Sequence, residues 1–178
     1  MNYANIKYLD IANGAGCRTS LFVSGCTHHC RGCFNAETWD FAYGKAFDRT
    51  VEEELLQSLA PSYNSGLSVL GGEPLEVSNQ RALLPFLKKV RSAYPEKSIW
   101  LWSGYTWEEI TDPQQTRCHC ELTAELLRLL DVLVDGKFVL EKKNISLRFR
   151  GSSNQRILDV PASLKSGTPV LSHYMKRD

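Results

Sequence analysis

Cys26, Cys30 and Cys33 place three thiols within eight residues, spaced C-x3-C-x2-C. A cubic 4Fe-4S cluster normally takes four cysteines, one per iron. Three on one short loop leave one iron for a distant ligand or for a small molecule. A cluster with an open iron is a reagent as well as an electron carrier. The rival chemistry is a structural zinc site, four-coordinate, which His28, His29 or the pair Cys118 and Cys120 would complete. The gaps of three and two do not match the paired C-x2-C knuckles common in zinc sites, and the triplet directly follows a predicted strand, where a cofactor belongs. The spacing therefore favours the cluster and leaves zinc as the alternative.

Gly71-Gly72-Glu73-Pro74 is the second constellation. Glycine lets a ligand approach the backbone closely, and the exposed peptide groups can pair with its polar atoms. Glu73 can accept a hydrogen bond from an ammonium group, while Pro74 stiffens the exit. Alone, these four residues read as an ordinary strand-ending turn; beside the cysteine loop they read as a ligand contact.

The elements that must position these residues alternate between strand and helix. Strands are predicted at 6–11, 19–23, 67–70, 98–102, 132–134 and 155–160. A helix over 51–60 is capped by Asp48 or Thr50 and stopped by Pro61. Ser78 and Asn79 open a second, with Leu83, Leu87, Val90 and Tyr94 at helical spacing and Pro85 marking either a kink or the first turn. Thr106 and Glu109 have capping-box spacing. Residues 111–120 form a polar loop and 121–130 a further helix. This order predicts an α/β fold with a mainly parallel sheet joined by right-handed crossovers, and ligands gathered at the carboxyl ends of the strands. A complete eight-unit barrel takes about 250 residues, so with 178 residues any (β/α) barrel here is partial and laterally open.

The length fits one domain over 1–178, with a core at about 5–160 and a C-terminal tail over 161–178. At 43% apolar and 23% charged the chain is ordinary globular material, which excludes disorder and fibre. Residues 1–7 lack the apolar stretch of a signal peptide and no later run is long enough to span a membrane, so six cysteines read as metal-binding in a reducing cytoplasm and not as a disulfide framework. Residues 142–178 carry a net charge of +6 and residues 1–141 a net of −5. The basic stretch can dock on an acidic surface or simply face solvent; no nucleic-acid motif accompanies it.

The cysteine triplet combined with Gly71-Gly72-Glu73-Pro74 resembles the radical S-adenosylmethionine superfamily. Asn13-Gly14-Ala15-Gly16, Leu21–Cys26, Trp100–Tyr105, Val132–Phe138 and Arg150–Gln155 are similar to the activating proteins of anaerobic (class III) ribonucleoside-triphosphate reductases, so the likeness covers most of the chain. It implies a radical S-adenosylmethionine type of open barrel. It implies a 4Fe-4S cluster on Cys26, Cys30 and Cys33 whose free iron is chelated by S-adenosylmethionine. It further implies reductive cleavage to a 5′-deoxyadenosyl radical that makes a glycyl radical on the large subunit of the reductase. Reduced flavodoxin or a similar donor supplies the electron. On the same resemblance Gly71, Gly72 and Glu73 hold the methionyl amino end, and Gly32, Cys33 and Phe34 contact the adenine. Ser103, Asp135 and Lys137 sit where relatives hold ribose or carboxylate, with Lys137 a partner for the carboxylate.

Superfamily members often carry an aromatic residue just before the third cysteine; here Gly32 precedes it and Phe34 follows. Cys118 and Cys120 fall outside the pattern and read first as an inert surface loop, second as a metal site. Cys17 reads as a small buried apolar residue. Arg148, Arg150 and Arg156 either dock the reductase, bind a carboxylate or face solvent. The chain has no glycyl-radical sequence of the Arg-Val-x-Gly-Tyr kind, which makes it activator and not radical carrier. The rivals are an activase of another glycyl-radical enzyme, a small-molecule radical enzyme, and a zinc-binding interaction module.

Overall fold

The computed structural model describes residues 1–176. Seven strands, β1 (Asn2–Asp10), β2 (Cys17–Val23), β3 (Lys45–Ala46), β4 (Asn64–Gly71), β5 (Ser98–Trp102), β6 (Val132–Asp135) and β7 (Arg156–Asp159), form one open sheet in the order β3-β1-β2-β4-β5-β6-β7. The sheet does not close into a barrel. It is mixed, which corrects the expectation of a mainly parallel sheet: β2, β4, β5 and β6 run parallel, whereas β1, β3 and β7 pair antiparallel. The connections give the reason. A parallel return needs a crossover of a dozen or more residues, and only six separate β1 from β2. Residues 136–155 leave β6 and re-enter β7 at the same end of the sheet without an α-helix, so β7 must run antiparallel.

Helices α1 (Arg49–Leu59), α2 (Val77–Ala93), α3 (Trp107–Thr111) and α4 (Thr123–Leu127) follow in chain order, and α5 (Val160–Ser166) continues from β7 into the stretch read as tail. Inward residues of the parallel strands, Leu21, Val23, Leu67, Val69, Ile99, Leu101 and Leu133, pack against Val51, Leu55 and Leu59 of α1 and Leu83, Leu87 and Val90 of α2. The opposite face carries Trp100, Val132, Val134 and Ile157, covered by Ala15, Phe149 and Tyr174. Burial on both faces is what makes these four strands read as short apolar runs. No helix among the described residues is long and apolar enough to cross a membrane.

The caps behave as their residue types dictate. Val51 N donates to Asp48 Oδ1 at 3.1 Å, and Thr106 and Glu109 form the capping box of α3. α2 starts at Val77, ahead of the predicted Ser78 or Asn79, because the Asn79 amide is drawn away to the carbonyls of Ser24 (3.0 Å) and Glu73 (2.9 Å). Pro85 sits mid-helix and not in the first turn. α4 is shorter than the predicted 121–130, the chain tightening after it into turns from Leu129 N to Leu126 O and from Leu130 N to Leu127 O. Cys17 is half-buried at the start of β2, not packed inside as its size suggested. Residues 177 and 178 of the expected tail lie outside the described residues.

One buried charge ties the sheet together at the amino ends of its parallel strands. The Arg18 guanidinium is 1% exposed. It donates to Ser68 Oγ (2.8 Å), Ser98 Oγ (2.9 Å) and the carbonyls of Leu67 (2.8 Å), Ser98 (2.8 Å) and Ala15 (3.2 Å), and lies over the Trp100 ring. All five acceptors are neutral, and burial draws its pKa down to about 10. Arg18→Met fills similar volume but strips every donor from this set of oxygens. It should cost about 3 kcal/mol, a drop in Tm of roughly 6–12 °C, read by thermal unfolding monitored by circular dichroism. A change below about 1 kcal/mol would mean the oxygens find water instead.

Candidate active site

The special residues lie beyond the carboxyl ends of the parallel strands: the cysteine loop after β2, Gly72–Pro74 after β4, Ser103–Gly104 after β5 and Gly136–Lys137 after β6. Gly25, at φ +94°, turns the chain out of β2. The loop then returns through a 3-10 turn at Ala36–Trp39, with Gly25 N donating to Thr38 O (2.8 Å) and Cys26 N to Trp39 O (3.2 Å). Two further bonds lace this loop to the end of β4, from Gly72 N to Val23 O and from Glu73 N to Gly25 O, both 2.8 Å. A Cβ at Gly72 would fall 2.6 Å from Gly25 O, so only glycine allows the two loops to lie this close.

Cys26 is buried, and Cys30 and Cys33 are half-buried; all are free thiols. Burial pushes the Cys26 thiol up to about 12 and raises Cys30, the latter opposed by the Lys137 ammonium. Thiolate is the metal-binding form, so any ion or cluster taken up here displaces those protons. Gly32 sits at φ +75°, where any side chain strains the backbone, and Leu140 Cδ1 lies 2.9 Å from where a Cβ would be, so an aromatic residue before the third cysteine would need Leu140 to move. Phe34 is 86% exposed and lines the cleft with Cys26 and Cys30.

Glu73 is fully buried, and its carboxylate gathers the walls of that cleft. Oε1 accepts from Leu75 N (2.8 Å) and Ser103 Oγ (2.9 Å); Oε2 accepts from Gly104 N (2.7 Å) and meets His28 Nε2 at 3.0 Å. His28 also stacks on Tyr105, ring centroids 4.2 Å apart, and lies so close to Gly104 that a Cβ there would be 2.5 Å from its ring. Glu76 holds the preceding residue of the loop, accepting from Thr27 N (2.9 Å) and Thr27 Oγ1 (2.5 Å). Sequence reading gave Glu76 no role, took Asn79 only as a helix start and His28 only as a zinc ligand, and met Tyr105 only inside the Trp100–Tyr105 likeness; the signal available for the first three was their nearness to the two motifs.

A cleft of about 140 Å³ runs between Cys26, Cys30, Phe34, Gly71, Gly72 and Glu73. A wider one of about 540 Å³ adjoins it past His28, Gly104 and Gly136, with Lys137, Arg117, Asp135 and Arg156 on its walls. Asp135 is fully buried and accepts from Trp107 N (2.7 Å) and from Arg156 (2.9 and 2.5 Å). Arg156 also grips Glu108 at 3.0 and 2.7 Å, holding that carboxyl down to about 2. Of the three roles its sequence position left open (docking, binding a carboxylate, facing solvent), the Arg156 guanidinium takes the second, on carboxylates of its own fold. Lys137 is exposed on the wall of the wider cleft, next to Gly136, which lines both.

The residues read as completing a zinc site have other partners in the fold. His28 is engaged by Glu73, and His29 stacks on Trp39 at 4.6 Å. Cys118 is not on an exposed loop, as the polar composition of 111–120 predicted; it is fully buried in the helix-side core, its carbonyl held by Gln80 Nε2 at 2.7 Å. Cys120 is half-buried beside the same glutamine. Among the described residues no three His, Cys, Asp or Glu side chains converge to hold a single ion. A cluster asks for something else, one thiolate for each of three irons, and the donor set of the loop fits that.

A family model described as a 4Fe-4S single cluster domain matches residues 12–158. The chain is 44% identical over 159 residues to a protein of Pasteurella multocida named anaerobic ribonucleoside-triphosphate reductase-activating protein, covering 88% of this chain and 96% of that one. Proteins of the same name from Haemophilus influenzae (41%, covering 88% and 97%) and Escherichia coli K12 (40% over 157 residues, covering 87% and 96%) are similarly related.

The Glu73 arrangement makes a sharp prediction. In Glu73→Gln the shape is kept, but whichever way the amide is turned its NH2 group faces a backbone N–H, of Leu75 or of Gly104. Unfolding free energy should fall by about 2–4 kcal/mol, measured by urea denaturation of the metal-free protein. An effect within about 0.5 kcal/mol, the range of an ordinary surface substitution, would refute the carboxylate's role as the tie.

Proposed function

The chain belongs to the family of anaerobic ribonucleoside-triphosphate reductase-activating proteins, and we propose that it cleaves S-adenosylmethionine reductively to install the glycyl radical of that reductase. The observation that carries the reading is the lacing of the three-thiol loop to Gly71-Gly72-Glu73, which puts cluster ligands and a ligand-binding backbone in one cleft. The relatives' names supply the protein substrate. A cluster held by Cys26, Cys30 and Cys33 would supply the one electron that reductive cleavage of the sulfonium to methionine requires, and the deoxyadenosyl fragment would end as 5′-deoxyadenosine by taking a Cα hydrogen from a glycine of the reductase.

The protein's own residues bind, aim and shield. Cys26, Cys30 and Cys33 hold the cluster. The N–H groups of Gly72 and Glu73 are committed to Val23 O and Gly25 O, and the Glu73 carbonyl to Asn79 and Glu76, so the methionyl ammonium is left to the backbone of Gly71 and Gly72. Glu73 acts through that backbone and, by its carboxylate, fixes the spacing of the walls. Phe34 offers an apolar face for the adenine, with Gly32 and Cys33 beside it. Lys137, on the wall of the wider cleft, meets the carboxylate. Asp135 holds the turn that carries Lys137 and keeps Arg156 at the wall, while Ser103 contributes through its bond to Glu73. Reduced flavodoxin or a similar donor supplies electrons.

Anaerobic reconstitution with iron and sulfide, then dithionite and S-adenosylmethionine, should release 5′-deoxyadenosine and methionine in equal amounts. Cys30→Ala should abolish that release. Addition of the reductase large subunit should give a glycyl-radical doublet by electron paramagnetic resonance. Absence of the nucleoside from the reconstituted wild-type protein would sink the reading, and nucleoside without the doublet would leave a radical enzyme with a different substrate.

A further inference from the structure

Residues 136–155, between β6 and β7, form one wall of the mouth and carry a surface that the ligand-binding reading does not use. The segment is folded on itself through Ser153 N to Lys142 O (2.9 Å), Asn144 N to Gly151 O (3.2 Å) and a bridge between Lys143 and Ser152. Its base is tied to the sheet by Trp102 Nε1 donating to Phe149 O (2.7 Å) and by Gln155 Nε2 donating to Gly136 O (2.9 Å). On its other flank Leu140 packs against Gly32 and Glu141 pairs with Arg31 at 2.6 Å, joining it to the cysteine loop. The result is a stiff ridge beside the cleft.

Its surface has a definite character. Between residues 137 and 150 there are five basic side chains and one acid, and that acid is the one held by Arg31. Lys142, Lys143 and Arg148 are exposed, and Ile145 at the tip is 92% exposed. Ile145 and Phe34 are the two most exposed large apolar side chains among the described residues, and they stand on the two loops that flank the mouth. A radical formed in the cleft reaches only what enters by that mouth, so the protein that delivers a glycine there must cover one or both loops.

We propose that the 139–150 ridge is the docking surface for the reductase large subunit, with Ile145 seated in an apolar notch and Lys142, Lys143 and Arg148 facing an acidic patch around the entering glycine loop. This rests on the function proposed above. Charges at such a rim set encounter rate and salt dependence, while the buried apolar tip sets residence.

The test uses reconstituted protein with the double variant Lys142→Glu/Lys143→Glu, the single variant Ile145→Asp, and Lys165→Glu on α5 as a remote control. Affinity for the purified reductase large subunit is measured by biolayer interferometry at low and high salt. Release of 5′-deoxyadenosine without reductase and glycyl-radical yield with it are measured in parallel. Both ridge variants should bind the reductase about tenfold or more weakly and give correspondingly less radical at limiting reductase. Their reductase-free 5′-deoxyadenosine release should stay within about twofold of wild type, and wild-type affinity should fall with salt. Wild-type affinity and radical yield in both variants would overturn the proposal while leaving the radical chemistry standing. Failure of wild type to release 5′-deoxyadenosine would instead count against the underlying function. Salt-sensitive binding to a duplex DNA oligonucleotide as tight as to the reductase would make the ridge a phosphate surface and also overturn it.

Discussion

A single buried carboxylate sets the geometry on which the site depends. Glu73 has no solvent to lean on and must satisfy both oxygens from the protein, since an unpaired buried charge is among the most expensive groups a fold can carry. Its partners come from three places: its own turn, the end of β5 and the cysteine loop. Meeting that demand fixes the separation of those segments, and other choices follow from it. Residue 104 has to be glycine because His28 leans on it to reach the carboxylate, and Tyr105 supplies the flat face behind the imidazole. The low local dielectric strengthens each of these bonds and couples them, so the walls of the cleft behave as one body.

The charges around the wider cleft are arranged by the same logic of pairing. Arg156 satisfies Asp135 and Glu108 together, Arg117 is anchored on Thr27, and Glu109 closes the cap of α3. Lys137, exposed on the wall of the wider cleft, has no such bond to its ammonium among the described residues. The carboxylates that share this cleft, Glu108, Glu109 and Asp135, are engaged by Arg156, Thr106 and Trp107. The chemistry at this rim is a product of what the neighbours have already used up.

Much of this was legible in the residues because the informative signals are local. The cysteine spacing, the Gly-Gly turn, the cap residues of α1 and α3 and the apolar runs of β2, β4, β5 and β6 each lie within a few positions of one another. The misjudged features are those set by distant partners. Cys118 sits in a polar stretch yet is buried in the core, where Gln80, 38 residues earlier on α2, holds its carbonyl. β7 reads like the parallel strands by composition, and its direction is decided by where the 136–155 segment folds back. Arg156 looks like one more surface arginine until Asp135 is brought beside it. Arg18 gave no signal at all, because its acceptors are backbone carbonyls and serines that any sequence contains.

The margins of the sheet carry a last consequence. β3 is only two residues long, β1 beside it is interrupted by two register shifts, and the outer side of β7 is taken by residues 170–172, with Asp159 N donating to Val170 O at 2.9 Å and Ser172 N to Ile157 O at 2.8 Å. Short, bulged or occupied borders offer a passing chain little backbone to pair with. Recognition by adding a strand, a common and weakly selective mode, is therefore discouraged at both borders. A molecule that keeps an apolar, thiol-lined mouth open to solvent gains from this, because unfolded or misfolded neighbours find no ready ladder to extend. Selectivity is left to loops and side chains, where it can be tuned without disturbing the sheet.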